Sequence, residues 1–177
     1  RQRFNLFIAL DHRAEANAND IRIVDVETQK SERLAEGSAF TAGGEPSWSP
    51  DGLRVAFTGT VTPMTRDDRS DVYVATIADK RVEKLSTNVG DDRSPAWSPD
   101  GTTIAWIATP NAAAPIPDGT LPSAVAMGRL VLYDAAARRI RDAGADLDTT
   151  PDRPRWSPDG SRILFGAGSR VSREAFA

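Results

Sequence analysis

Short apolar runs alternate with polar stretches along most of this chain. Arg54-Val55-Ala56-Phe57, Thr103-Ile104-Ala105-Trp106 and Arg162-Ile163-Leu164-Phe165 each close on an aromatic ring. A second kind of run follows a loop: Asp71-Val72-Tyr73-Val74 in one place and Leu130-Val131-Leu132-Tyr133 in another. A third, more polar kind comes next, as in Arg81-Val82-Glu83-Lys84-Leu85. Runs this short, rich in β-branched and aromatic residues and bounded by turn formers, predict strands.

The runs are phased by a repeat. Pro46-Ser47-Trp48-Ser49-Pro50-Asp51-Gly52, Pro95-Ala96-Trp97-Ser98-Pro99-Asp100-Gly101 and Pro154-Arg155-Trp156-Ser157-Pro158-Asp159-Gly160 share the frame P-x-W-S-P-D-G. Proline presets φ for the first central position of a type I turn, aspartate tolerates the next and bonds back to the backbone, and glycine accepts positive φ. The frame therefore turns a strand ending at Trp into the next strand within four residues. Trp48, Pro50, Asp51, Gly52, Trp97, Pro99, Asp100, Gly101, Trp156, Pro158, Asp159 and Gly160 are read as turn and packing residues.

Each unit then holds four antiparallel strands, and repetition at this period is the signature of β-propeller blades. The expected fold is all-β: a β-propeller segment of about three four-stranded antiparallel blades, forming an incomplete ring. The expected blades are a partial one at 1–45, complete ones at 46–94 and 95–153, and a partial one at 154–177. In the first, Phe4–Ile8, Asp20–Val26 and Glu32–Leu34 match strands two to four. A motif expected just before Arg1 is absent, and the third motif is followed by strand two and a tail, so the chain reads as a piece of a longer protein. A ring completed by another chain, two copies supplying six blades included, is the other expectation. The Trp side chains are expected between blades, where a large aromatic buries most area.

The frame P-x-W-S-P-D-G-x-x-I-A-F, followed by D-[IV]-x-[VI], resembles the WD40-like repeat of TolB-type propellers, and the resemblance covers nearly the whole chain. Two families carry this repeat prominently. TolB proteins are periplasmic scaffolds that bind other envelope proteins. Prolyl oligopeptidase (S9) family serine peptidases place such a propeller over an α/β-hydrolase domain. Gly128–Asp134, Asp146-Leu147-Asp148 and Pro154–Gly160 look like the propeller of bacterial dipeptidyl or acylaminoacyl peptidases in the S9 family. That resemblance implies a non-catalytic propeller that gates peptide access to a hydrolase domain absent from this chain. The alternative it leaves open is a TolB-like protein-binding scaffold in the cell envelope. Implied partners are an α/β-hydrolase domain or another chain completing the propeller, with a peptide substrate or protein partner. The implied setting is bacterial, periplasmic or cytoplasmic, with the periplasm favoured.

Composition narrows the remaining chemistry. A net charge of -3 without a basic excess argues against nucleic acid. Without cysteine, disulfides and thiolate metal sites are excluded, and one histidine makes a transition-metal site improbable. No apolar run reaches the length of a membrane span. There is no G-x-S-x-G elbow, phosphate-binding loop or dinucleotide fingerprint, so no catalytic residue, cofactor or metal is expected.

Charged residues concentrate in the loops from strand two to three and from strand four to one. In an up-and-down blade those loops share one end, opposite the WSPDG turns. The candidate binding residues of this loop end are His12, Asp67, Asp68, Asp91, Asp92, Arg93, Asp148 and Arg153. Rigid scaffolds often present binding loops in this way, though the plainer expectation is that loops are polar because they are wet. The proline-rich stretch at 109–128 interrupts the third unit and is expected as an insertion between strands two and three.

Overall fold

A computed structural model describes residues 4–7, 20–34, 41–60, 69–88, 90–109, 128–144, 147 and 149–168. Strands β1 (Phe4–Phe7), β2 (Arg22–Asp25) and β3 (Ser31–Arg33) form a first sheet in the order β1-β2-β3. The second sheet comprises β4 (Thr41–Trp48), β5 (Arg54–Thr60), β6 (Asp71–Thr76) and β7 (Val82–Lys84) in chain order. The third repeats it with β8 (Asp92–Trp97), β9 (Thr103–Ala108), β10 (Arg129–Asp134) and β11 (Arg139–Asp142). β12 (Thr150–Trp156) and β13 (Ile163–Gly168) form a two-stranded fourth sheet. All neighbouring strands are antiparallel. The described chain is thus an all-β arc of propeller sheets without a closed ring.

Strand periodicity explains how the sheets stack. Successive side chains point to opposite faces. In β5, Val55 and Phe57 face the first sheet, in a core with Ile21, Ile23 and Leu34. Ala56, between them, faces the third sheet. Tyr73 and Ala75 of β6 follow the first pair, and Val72 follows Ala56. The third sheet repeats the rule: Ile104, Trp106, Val131 and Tyr133 look back, while Ala105, Ile107, Leu130 and Leu132 look forward to Trp156, Ile163 and Phe165. A sheet buried on both faces needs apolar residues at consecutive positions, and this is why the strand-two and strand-three runs are unbroken. In the fourth sheet Leu164, at the place of Ala105, is 77% exposed.

Two local features repeat beyond the WSPDG frame. Strand one starts well upstream of its Trp and carries a register shift in each complete or partial sheet that has one: between Gly43 and Ser47, Arg93 and Ala96, and Asp152 and Arg155. Gly44, Ser94 and Arg153 sit in these bulges with φ of 71°, 56° and 48°. An extra residue accommodated in the left-handed region bends and twists the strand locally. The turns from strand three to four also hold one left-handed residue each, Gln29, Lys80 and Arg138. Asp25 and Asp134 brace two of those turns, their Oδ1 atoms accepting from the N–H groups of Thr28 at 2.7 Å and Ala137 at 2.8 Å.

Candidate functional site

The WSPDG turns share one hydrogen-bond network. The Gly N–H donates to the Ser carbonyl in all three, at 2.9 Å for Gly52, 3.0 Å for Gly101 and 2.9 Å for Gly160. Ser49, Ser98 and Ser157 donate from Oγ to Asp51, Asp100 and Asp159 at 2.5, 2.6 and 2.5 Å. Each aspartate also accepts the N–H two residues on. These bonds, with the serine hydroxyl first, hold all three carboxyls below the ordinary aspartate value, Asp159 at about 2. Successive turns touch: Pro50 faces Gly101, and Pro99 faces Gly160.

The three Pro-x-Trp segments lie side by side and enclose a cleft of about 360 Å³. Its wall comes from β4, β8 and β12, the first strands of successive sheets. Trp97 N–H donates to Ser47 Oγ at 3.0 Å, and Trp156 Nε1 donates to Ala96 O at 3.0 Å, so these two tryptophans are bonded to the preceding sheet. Charges of both signs lie at the rim. Arg155 pairs with Glu45 at 3.0 Å across the third sheet, and Arg153, in its bulge, adds a second guanidinium.

At the other end of the strands, the residues selected from the sequence divide. Asp91, Asp92 and Arg93 are brought together with Ser70, Asp71, Ser86, Asn88, Trp106 and Thr109. Asp91 Oδ1 accepts the Ser70 N–H at 2.9 Å, and Arg93 Nη1 donates to Thr109 Oγ1 at 3.2 Å. Arg93 also lies 3.9 Å from Asp152. Asp92 and Arg93 do not belong to a wet loop as the sequence reading had them: both lie in β8, which begins five residues before its Trp. Arg153 is likewise inside β12 and lines the first-strand cleft. The physical reason is the bulge, which lengthens strand one and carries it into what looks like connecting loop. His12, Asp67, Asp68 and Asp148 lie outside the described residues, as does 110–127 of the insertion.

Asp92 is the outlier. Its side chain is fully buried, at 0% exposure. Trp106 Nε1 donates to Oδ1 at 2.9 Å, while Oδ2 has no hydrogen-bond partner among the described residues. Burial pushes its carboxyl up to about 7; the Trp106 bond opposes this, the charge of Asp71 adds to it, and Asn88 and Ser86 ease it in part. Asp71 is itself committed, accepting from Ser86 Oγ at 2.8 Å and Lys84 Nζ at 2.7 Å. The sequence signal for this cluster was slight: an acidic residue opening β6, and a serine just after β7. Among the described residues no group of three or more His, Cys, Asp or Glu side chains is placed to hold a metal, and no helix is long and apolar enough to cross a membrane.

Residues 12–116 match the family described as the TolB beta propeller domain. No curated protein sequence matches the chain. Among solved structures, a putative TolB from Agrobacterium tumefaciens overlays 97% of this chain with a TM-score of 0.69 at 16% identity. TolB from Acinetobacter baumannii overlays 90% with a TM-score of 0.62 at 17% identity. A prolyl endopeptidase overlays 85% with a TM-score of 0.56 at 14% identity. At these identities the likeness is one of fold. The chain spans 52%, 34% and 23% of those three structures respectively.

Proposed function

This chain belongs to the TolB β-propeller family, and from that premise we propose that it is a non-catalytic propeller segment that receives extended polypeptide along the cleft of its first strands. The observation that carries the reading is the cleft itself. Its floor is built from three Pro-x-Trp segments, and its rim holds Glu45, Arg153 and Arg155. A polypeptide backbone carries donors and acceptors along its whole length and a charge at each terminus. A rim with both signs of charge over an aromatic and proline floor complements such a ligand with little demand on its sequence.

In its first form the role is that of a gate: the propeller of a prolyl oligopeptidase (S9)-like serine peptidase, admitting short or unfolded peptides to a hydrolase domain elsewhere in the protein. The resemblance of Gly128–Asp134 and Pro154–Gly160 to those propellers supports this form. The intact gene product tests it. Cleavage of a chromogenic dipeptide substrate, with a G-x-S-x-G motif and a later histidine encoded downstream, is the expected result. An intact product that cleaves no such substrate and encodes no such motif overturns it.

The second form is a TolB-like scaffold that binds a protein partner without catalysis, supported by the family match over 12–116. It expects a partner whose capture is lost when the rim pair is reversed singly, as in Arg155→Glu, and restored by adding Glu45→Arg.

A further inference from the structure

The seam between the second and third sheets is closed at one end by a short ring of bonds. The Asp92 N–H donates to Ser70 O at 2.8 Å, Ser70 Oγ donates to Asp92 O at 3.1 Å, and the Ser70 N–H donates to Asp91 Oδ1 at 2.9 Å. Thr109 N–H, at the end of β9, donates to Asp91 O at 2.7 Å. The ring thus ties the start of β6, the start of β8 and the end of β9. Beside it lies the Asp92 side chain, sealed from solvent, with one oxygen bonded to Trp106 and the other without a partner at hydrogen-bond distance among the described residues.

A buried carboxylate with an unmatched oxygen is tolerable when it is neutral and costly when it is charged. The groups around it sharpen the difference. From β6 the like charge of Asp71 faces it. From β7 the Lys84 ammonium, which would offset an ionised Asp92, is taken up by Asp71. From the segment before β8, Ser86 and Asn88 work the other way and ease the charge in part, while the Asp91 carboxylate is already engaged by Ser70. On β8 itself the Arg93 guanidinium reaches away to Thr109 and Asp152. The Lys84 and Arg93 side chains are thus both engaged elsewhere, and the way to relieve the charge of Asp92 is to let water in by parting the seam.

We propose that Asp92 is a proton-operated latch: protonated, it holds the segments around Ser70 and Asp92 together, and ionised, it releases them and opens this end of the propeller. The two states differ in local bonds only, so the WSPDG end remains closed in both. The acid form is the tight one, opposite in sense to a surface salt bridge.

Amide hydrogen exchange by NMR on the full chain, corrected for intrinsic rates, tests this. Between pH 6 and pH 8 the protection of the Ser70 and Asp92 amides is expected to fall by about tenfold, the change one pKa unit brings, while the Gly101 amide stays constant. Asp92→Asn, which cannot ionise, is expected to remove the fall. Equal loss at Gly101, or a fall that survives in Asp92→Asn, overturns the latch. So does recovery of protection at pH 8 on adding millimolar Ca²⁺, which would make Asp92 a cation ligand instead. If Asp92→Asn does not fold, Asp71→Asn decides: removing the like charge should move the midpoint of the fall to lower pH, and an unmoved midpoint sinks the proposal.

Discussion

Arg54 and Trp97, on neighbouring sheets, are stacked: the guanidinium carbon lies 4.6 Å from the centre of the indole ring. Trp97 is 7% exposed and belongs to the core shared by the second and third sheets. Removing the ring deletes the contacts of a large aromatic and leaves a cavity between two sheets that cannot easily collapse. Trp97→Ala is expected to cost about 3–5 kcal/mol in chemical denaturation. Arg54→Ala, which removes the stacked cation and its 3.6 Å ion pair with Asp51, is expected to cost about 0.5–1 kcal/mol. A cost near zero for Trp97→Ala would mean that the repeat tryptophan is not part of the inter-sheet core.

Left-handed residues separate two otherwise similar exchanges. Gly52 has φ of 72°, and a Cβ built there meets nothing within 4 Å. Gly52→Ala therefore costs only the conformational penalty, about 1–2 kcal/mol. Ser94 adopts φ of 56° in the bulge of β8 despite its Cβ. Ser94→Gly removes that penalty but loosens the unfolded chain, so a net gain of about 0.5–1 kcal/mol is expected. Paired thermal melts of the two variants check the signs, which should be opposite.

Gly144 is required for space. A Cβ there would lie 2.9 Å from Leu147 Cδ1 and 3.2 Å from the backbone nitrogen of Leu130. The leucine tip can swing aside; the β10 backbone cannot, because Ala143 N–H donates to Leu130 O at 2.8 Å and fixes the approach. Gly144→Ala should cost about 1–3 kcal/mol, as overpacking does, and should shift the backbone resonances of β10. A neutral variant would show that the segment after β11 is free to move away.

The sheets were legible because their chemistry is local. Val55, Ala56 and Phe57 announce a strand buried on both faces, and Ser-Pro-Asp-Gly announces its turn, within a few residues of chain. The bulges were not, since a serine or arginine in the left-handed region carries no mark in composition. The burial of Asp92 was hidden for another reason. Its partner Trp106 is fourteen residues ahead and Asp71 lies on the neighbouring sheet, so only the packed sheets convert a polar-looking Asp91-Asp92-Arg93 stretch into a sealed carboxylate. Arg153 was misplaced by the same blindness to strand length, because the bulge puts it inside β12.

The turn aspartates and Asp92 respond to acid with opposite signs. Asp51, Asp100 and Asp159 are held below the ordinary value by serine hydroxyls and backbone N–H groups. A depressed carboxyl lends stability above its unfolded pKa of about 3.9, and that stability is lost as pH falls through the folded value. For Asp159 the folded value is about 2, so its contribution should fade between about pH 4 and pH 2. Asp92, raised to about 7, does the reverse: its favourable term is complete below about pH 3.9 and is lost as pH climbs to 7. Together they put the most stable pH on the acid side of neutrality, near pH 4–5. Melting temperatures taken from pH 2 to 8 should pass through a maximum there. Asp92→Asn should flatten only the alkaline limb, because the amide cannot take up charge. Ser157→Ala should move the Asp159 carboxyl, followed by NMR, back up towards the ordinary value, because the hydroxyl is the largest cause of its depression. A stability maximum above pH 7, or an Asp159 resonance indifferent to Ser157→Ala, would contradict the bonding described for the turns and the seam.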